Sequence, residues 1–324
     1  MKPRSDDWRP SAGLDVLALR AALLGRLRGW FADHGVMEVE TPALSAAAVT
    51  DPHIHSLETC LDRRPMYLQT SPEFFMKRLL AAGSGDIYQV CRVFRDGEQG
   101  RRHNPEFTMV EWYRRDLDVH RMMDEIESLL AVLGAGRRQP RPAERITYRD
   151  LCMEFAGIDT FVDGTAAIVA RLNKAAVAVP DGLSADRDAL LDLLLATVVE
   201  PAMPAEVPVF VFDFPASQAA LARIRDGDPP VAERFELFLG GMELANGFHE
   251  LRDATEQAGR FERDLQRRRD AGLKQPPVDH RLLAALDAGL PECAGVALGF
   301  DRLVMWLAGC DHIADVLSFD VGRA

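Results

Sequence analysis

DIYQVCRVFRDGEQGRRHNPEFTMVEWYR, residues 86–114, is the most informative run in the chain. Its two apolar stretches predict two strands joined by a polar loop. On the second strand, a period of two puts Phe107, Met109, Glu111 and Tyr113 on one face and Thr108, Val110 and Trp112 on the other. A buried acid and phenol among apolar residues cost free energy unless something polar meets them. A sheet face turned toward a ligand would meet that need. The joining loop, 96–105, holds Glu98, Arg101, Arg102, His103 and Asn104, which is chemically rich for a simple turn.

Two further segments carry chemistry. In ERFELFLGGMELANGFHEL, residues 233–251, Gly240-Gly241 predicts a two-residue hairpin turn. Leu239 then faces Met242, Phe238 faces Glu243, and Glu236 faces Ala245. Leu237, Leu239, Met242 and Leu244 form an apolar face, while Glu236 and Glu243 fall together on the other as a diagonal pair about 7–8 Å apart. Two carboxylates so placed repel unless a cation lies between them, and hard divalent ions take oxygen ligands. Asn246, His249 and Glu250 follow with more polar groups than a plain strand exit needs. In AGVALGFDRLVMWLAG, residues 294–309, an apolar strand ends at Gly299, Asp301 is placed to cap a helix, and Arg302 lies in its first turn. A helix N-terminus favours anions and an arginine there strengthens a phosphate site. The Rossmann and P-loop glycine patterns are absent, so a nucleotide would be held in another way.

Around these segments, residues 1–13 read as an extended arm. Val16, Leu19, Leu23, Leu27, Trp30 and Phe31 recur at helical spacing ahead of Gly35. A strand follows over 36–40, and helices are expected over 121–133, 256–271 and 301–308. The Ala- and Leu-rich middle, about 146–232, is helical apart from a strand over 207–212. Because chemistry sits at both ends of the chain, the ends must converge. That predicts one catalytic domain over 14–324 with a helical insertion around 146–232.

Composition narrows the function classes. The 324 residues carry 38 Lys+Arg against 50 Asp+Glu, a net charge of −12, which lacks the basic footprint of a dedicated nucleic-acid binder. Hydrophobic residues at 48% and charged residues at 27% are ordinary globular usage. No apolar run reaches the length of a membrane span, and MKPRSDDWRP has no apolar leader core, so no membrane role and a cytoplasmic location are expected. The five cysteines form no CxxC pair and read as core fillers. Arg267-Arg268-Arg269 reads as a solvated helix face, and His53 and His55 as surface residues.

Taken together, the segments resemble class II aminoacyl-tRNA synthetases. FADHGVMEVETPAL (31–44) is similar to motif 1, FRDGE (94–98) with RRHNPEFTMVEWY (101–113) to motif 2, and GVALGFDRL (295–303) to motif 3. TSPEFFMKRLL (70–80), HNPEFTM (103–109) and MELANGFHEL (242–251) resemble lysyl-tRNA synthetase segments. Too little sequence precedes Leu14 for that enzyme's anticodon-binding domain, so the resemblance narrows to the elongation factor P–(R)-β-lysine ligase family. The fold this implies is α+β, an antiparallel sheet flanked by helices.

The resemblance also implies roles. Arg95 and Arg302 would be the catalytic arginines on the α- and γ-phosphates of ATP. Asp96, Gly97, Glu98, His103, Asn104, Phe107 (stacked on adenine), Glu243, Leu244 and Gly299 would complete the ATP site. Glu236 and Glu243 would hold Mg2+. Ser71, Pro72, Glu73, Tyr113, Asn246, Glu250 and Ala297 would form the substrate pocket, with Glu73 on the amine nearer the carboxylate and Tyr113 with Glu250 on the distal ammonium. Lysyl enzymes usually place a glutamate two residues after the motif 2 arginine, where this chain has Gly97 followed by Glu98. They also have glycine where it has Ala297, whose methyl narrows the pocket near the α-carbon and suits an amine moved to the β-carbon. The implied partners are ATP, β-lysine and elongation factor P, within a homodimer and without tRNA. The alternatives are a lysine-specific tRNA-aminoacylating enzyme and a catalytically inactive synthetase-like regulator.

Overall fold

The 86–114 run forms its two strands. The computed structural model describes residues 8–180 and 182–324, so the first seven residues of the expected arm lie outside the described residues. In chain order the elements are α1 (Leu14–Asp33), β1 (Met37–Glu38), β2 (Leu44–Ser45), β3 (Glu58–Leu61), β4 (Arg64–Leu68), α2 (Glu73–Ala81), β5 (Ile87–Phe94), β6 (Glu106–Arg115) and α3 (Val119–Gly134). There follow β7 (Glu144–Thr147), α4 (Tyr148–Ala156), α5 (Thr165–Lys174), α6 (Arg187–Leu194), β8 (Val209–Pro215), β9 (Ile224–Arg225), β10 (Val231–Phe238) and β11 (Glu243–His249). The last are α7 (Ala254–Asp270), α8 (His280–Gly289), β12 (Cys293–Gly299) and α9 (Phe300–Ala308).

The main sheet runs β1-β5-β6-β12-β11-β10-β8-β7, with β9 beside β10. Its central pairings are antiparallel, while β1 joins β5 and β7 joins β8 in parallel at the two edges. β12 lies between β6 and β11, so the three chemistry-bearing segments become neighbours. One sheet face packs on helices: Val110, Trp112, Val296 and Leu298 meet Leu23, Leu27 and Phe31 of α1 and Met122 and Ile126 of α3. Each such fully buried apolar side chain contributes about 1.5–3 kcal/mol. A second cluster gathers Leu151, Leu190 and Leu194 of α4 and α6 against Val211 and Phe214 of β8. The opposite face of the central strands stays open.

The hairpin turn is as expected, with a changed register below it. Gly240 and Gly241 both take φ +66, and a Cβ on Gly240 would stand 2.8 Å from the Trp306 ring. Phe238 pairs with Glu243, but Leu237 pairs with Ala245 and Glu236 with Asn246 rather than with Ala245. Leu244 is the extra residue of a β-bulge. The bulge keeps both Leu244 and Ala245 against the core and turns Glu243 back to the open face beside Glu236.

Three more expectations need correction. Asp301 does not cap α9: Gly299 occupies the cap position without a side-chain bond. Asp301 instead accepts from Thr108 N at 2.8 Å and pairs with Arg20 of α1, tying the start of α9 to β6. Arg268 is not solvated but buried, because helical spacing sets it on the stripe of Gln257, Arg260 and Phe261. Its guanidinium donates to the carbonyls of Thr50, Asp51, Ile54 and Lys274, whose loop has no strand to satisfy them. Cys60, on β3 of the small β2-β4-β3 sheet, is exposed and fills no core. His53 and His55 are exposed, as expected. Among the described residues no helix is long and apolar enough to cross a membrane.

Candidate active site

The open sheet face is the floor of a cavity of about 880 Å³. β6 supplies Phe107 and Met109, β12 supplies Ala297 and Gly299, β11 supplies Glu243 and Asn246, and β10 supplies Arg234 and Glu236. Arg95 and Arg302, distant in sequence, line this same cavity. The Arg95 guanidinium stands 5.1 Å from the centre of the Phe107 ring and pairs with Glu98 at 3.4 Å. Its Nε is buried without a partner. Arg302 donates to Glu243 O at 2.6 Å and approaches His103 Nε2 at 2.7 Å. Burial and the Arg302 charge together lower the His103 pKa. An exposed aromatic face, two guanidiniums and a helix N-terminus suit a planar base carrying a chain of phosphates.

The paired acids, Glu236 and Glu243, line the same cavity. Glu236 is buried and accepts from Arg234, which also donates to Gln218 O at 2.8 Å. Burial outweighs that arginine and pushes the Glu236 carboxyl up to about 7, with Glu243 adding to the rise. A buried carboxylate so raised, with a second beside it on the cavity wall, fits a divalent cation, since magnesium is bound by one or two carboxylates together with phosphate oxygens and water. Among the described residues no cluster of three or more His, Cys, Asp or Glu could hold a metal by itself.

Part of the cavity wall comes from the start of α2. Ser71 donates to Glu111 Oε2 at 2.7 Å and accepts from Glu73 N at 3.0 Å. Tyr113 donates to the other oxygen of Glu111 at 2.6 Å. The acid and phenol of β6 therefore satisfy each other instead of waiting for a ligand. Burial raises the Glu111 pKa. Lys77 lies between Glu73 and Glu250, its Nζ 2.6 Å from an oxygen of each. Gly295 leaves room for this network: a Cβ there would stand 2.3 Å from the Tyr113 ring and 2.5 Å from Glu250 Oε1.

Residues 1–322 match the family described as tRNA synthetases class II (D, K and N). A Vibrio vulnificus (strain YJ016) protein named Elongation factor P--(R)-beta-lysine ligase is 49% identical, covering 97% of this chain and 98% of its own. The protein of that name from Vibrio cholerae serotype O1 is 48% identical over 99% of both chains, and that from Salmonella gallinarum 49% over 98% of both. The chain belongs to the elongation factor P–(R)-β-lysine ligase family.

Most of the residues that resemblance to this ligase family singles out reach the cavity. Ser71, Glu73, Arg95, Glu98, His103, Asn104, Phe107, Glu236, Glu243, Leu244, Asn246, Ala297, Gly299 and Arg302 line it. Pro72, Asp96, Gly97, Tyr113 and Glu250 do not. Pro72 is the cap position of α2, and Asp96 N bonds to His55 O at 2.8 Å. Gly97, at φ +79, bends the loop so that Glu98 brings the carboxylate to the lining. The Asn104 amide bonds to Glu106 O at 2.6 Å and its Oδ1 accepts from Val321 N at 3.0 Å, so it ties the loop to the C-terminal tail. Tyr113 and Glu250 stand one layer behind the lining, both buried.

Lys77, Glu111 and Arg234 were not among the expected ligase-site residues. Lys77 had a signal: it follows Glu73 by four residues, on the helix stripe of Met76 and Leu80, where an unpaired charge is not tolerated. Arg234 had a weaker one, since Glu236 follows it by two residues and a strand's period puts both on one face.

Proposed function

We propose that this protein activates (R)-β-lysine with ATP and joins it to a lysine side chain of elongation factor P. The observation that carries the reading is the convergence of Arg95, Phe107, Arg302 and Glu73 on a single cavity. Full-length similarity to ligases of that name gives the acceptor.

In the first step a substrate carboxylate oxygen attacks the α-phosphorus of ATP. The bond from that phosphorus to the bridging oxygen breaks and pyrophosphate leaves. The nucleophile is already ionised, so the work is alignment and charge compensation. Arg95 takes the α-phosphate, Phe107 stacks on adenine, and Arg302 takes the γ-phosphate. Glu236 and Glu243 would hold magnesium, which when bound neutralises triphosphate charge. Glu73 accepts the amine nearer the carboxylate. The distal ammonium is assigned to the layer behind Glu73, where the Tyr113 oxygen and Glu250 keep lone pairs beyond those already engaged; to meet them it must pass the lining. In the second step the neutral acceptor amine attacks the acyl carbon, AMP leaves, and the amide nitrogen loses its extra proton.

The reading extends to a cytoplasmic homodimer that does not use tRNA. The motif 1 similarity and the exposed Met37 and Leu44 within it support the dimer, and the −12 charge speaks against tRNA. Pyrophosphate exchange with α-lysine and both β-lysine enantiomers, with elongation factor P and tRNA offered in parallel, is the test. Exchange driven by (R)-β-lysine and label on the protein factor are expected. Label on tRNA with unmodified factor would overturn the acceptor.

A further inference from the structure

The α2 end of the cavity holds a buried charge that the proposed chemistry does not use. Lys77 is 1% exposed, and its Nζ lies 2.6 Å from Glu73 Oε1 and 2.6 Å from Glu250 Oε2. The charged or titratable groups facing this ammonium are Glu73 of its own helix, Glu250 after β11, and Cys293 on β12, with Glu111 and Tyr113 of β6 next to Glu73 and Glu250. Three carboxylates, Glu73, Glu111 and Glu250, therefore crowd one buried region around a single cation. Without it, mutual repulsion and burial would drive protons onto them. A protonated carboxyl loses most of its attraction for an ammonium ion.

Geometry divides the three acids by role. Glu111 is occupied by the Ser71 and Tyr113 hydroxyls. Glu250 is reached by Lys77 and by the Gly295 backbone. Of the three, only Glu73 lines the cavity, and it is 15% exposed there. Lys77 grips Glu73 from behind, one turn along α2, and so fixes the direction in which the carboxylate meets the cavity. Burial lowers the Lys77 pKa, but Glu250 and Glu73 more than reverse this and hold it above the ordinary lysine value. The ammonium thus keeps its proton throughout the neutral range.

We infer that Lys77 is a positioning residue for amine recognition: it orients Glu73 and Glu250 and offsets their crowded charge for a diamine substrate. The inference rests on the lysine-like substrate proposed above. It assigns Lys77 no contact with ATP and no part in the phosphate chemistry.

The test is steady-state pyrophosphate exchange by the full chain with (R)-β-lysine between pH 6 and 8, comparing Lys77→Met, Lys77→Gln and Lys77→Arg. Lys77→Gln keeps a hydrogen-bond donor without the charge and carries the test if Lys77→Met does not fold. Either neutral variant should raise KM for the diamine roughly tenfold or more, with KM for ATP unchanged and kcat within about threefold. Its kcat/KM for the diamine should also fall more steeply than that of wild type on acidification below neutrality, because crowded carboxylates left without their cation take up protons more readily. Lys77→Arg should restore most of the affinity and the wild-type profile. A merely structural lysine would not move the pH profile. Neutral variants with wild-type KM and profile, or Lys77→Arg as impaired as Lys77→Met, overturn the inference. Failure of wild type to exchange with any lysine would instead sink the substrate reading on which it rests.

Discussion

Arg302 Nη2 and His103 Nε2 stand 2.7 Å apart, joining the start of α9 to the loop between β5 and β6. A guanidinium has no lone pair to offer and stays protonated, so Nε2 accepts and the neutral ring carries its proton on Nδ1. Burial and Arg302 depress the His103 pKa below 6.5. A group with a depressed folded pKa gives stability that is complete above its unfolded value and lost as pH falls toward the folded one. Protonation would set two cations face to face and release Arg302 from the phosphate end.

The first prediction follows. Metal-free ATP binding, followed by calorimetry in a chelator, should weaken as pH falls below the ordinary histidine range in wild type, to the extent that His103 takes up a proton. His103→Gln keeps an acceptor oxygen without a titrating ring and should show only the shallower dependence that protonation of the terminal phosphate imposes on both proteins. Equal pH slopes in the two proteins would remove His103 from the site.

Glu236 sets the second prediction, with the opposite sign for stability. Its carboxyl is raised to about 7, mainly by burial, so the folded chain holds its proton more tightly than the unfolded chain does. That favours the fold at low pH and disfavours it as pH rises from about 4.5 toward 7. A divalent ion reverses the balance because it needs the carboxylate. Magnesium should therefore strengthen ATP binding much more at pH 8 than at pH 6, by about one power of ten. Glu236→Gln should abolish most of that difference while leaving metal-free ATP binding close to wild type.

The convergence of the three motifs was legible because each pairs a strand of clear period two with a turn or helix start of definite chemistry. Phe107, Met109 and Glu111 sit on one face of β6 as the alternation requires, and Phe238 meets Glu243 across the two glycines. What escaped depends on contacts that no local pattern encodes. The bulge at Leu244 is one residue of slip, and only the combined packing of Leu244 and Ala245 on the core selects it. Asp301 looked like a cap because its partners, Thr108 and Arg20, come from β6 and α1, far away in sequence. Half of the Lys77 pairing is local, to Glu73 one turn away, but its second acid, Glu250, is distant in sequence and only the fold brings the two together.

Ala297 gives the third prediction. On β12 it lies between Asn246 of β11 and Glu111 of β6, and it lines the cavity. Its methyl therefore stands at the end where the amine-bearing carbon is proposed to rest. Removing it should widen the space for an amino group on the α-carbon. Ala297→Gly should raise kcat/KM for α-lysine relative to (R)-β-lysine by about 10–200-fold, the range associated with one methyl or methylene in a pocket. An unchanged ratio would show that substrate choice is made elsewhere.

Arg268 supplies a prediction about stability. Its guanidinium, buried to 4% exposure, holds the Thr50, Asp51 and Ile54 carbonyls of the loop that walls the cavity, together with the Lys274 carbonyl. Removing it leaves these acceptors without their donor and opens a hole the size of a guanidinium. Arg268→Met should cost about 3–5 kcal/mol, as expected for losing a buried hydrogen-bond network. Arg268→Lys should recover only part of that, because a compact ammonium cannot match a planar fork spread over four carbonyls. The neighbouring Arg269 is exposed and bonds to Gln266 and Gln275, so Arg269→Met should stay within about 0.5 kcal/mol. Urea unfolding of the three variants separates these outcomes, and hydrogen exchange should show the 50–54 backbone losing protection in Arg268→Met alone. Equal midpoints for Arg268→Met and Arg269→Met would return Arg268 to the solvated helix face its sequence first suggested.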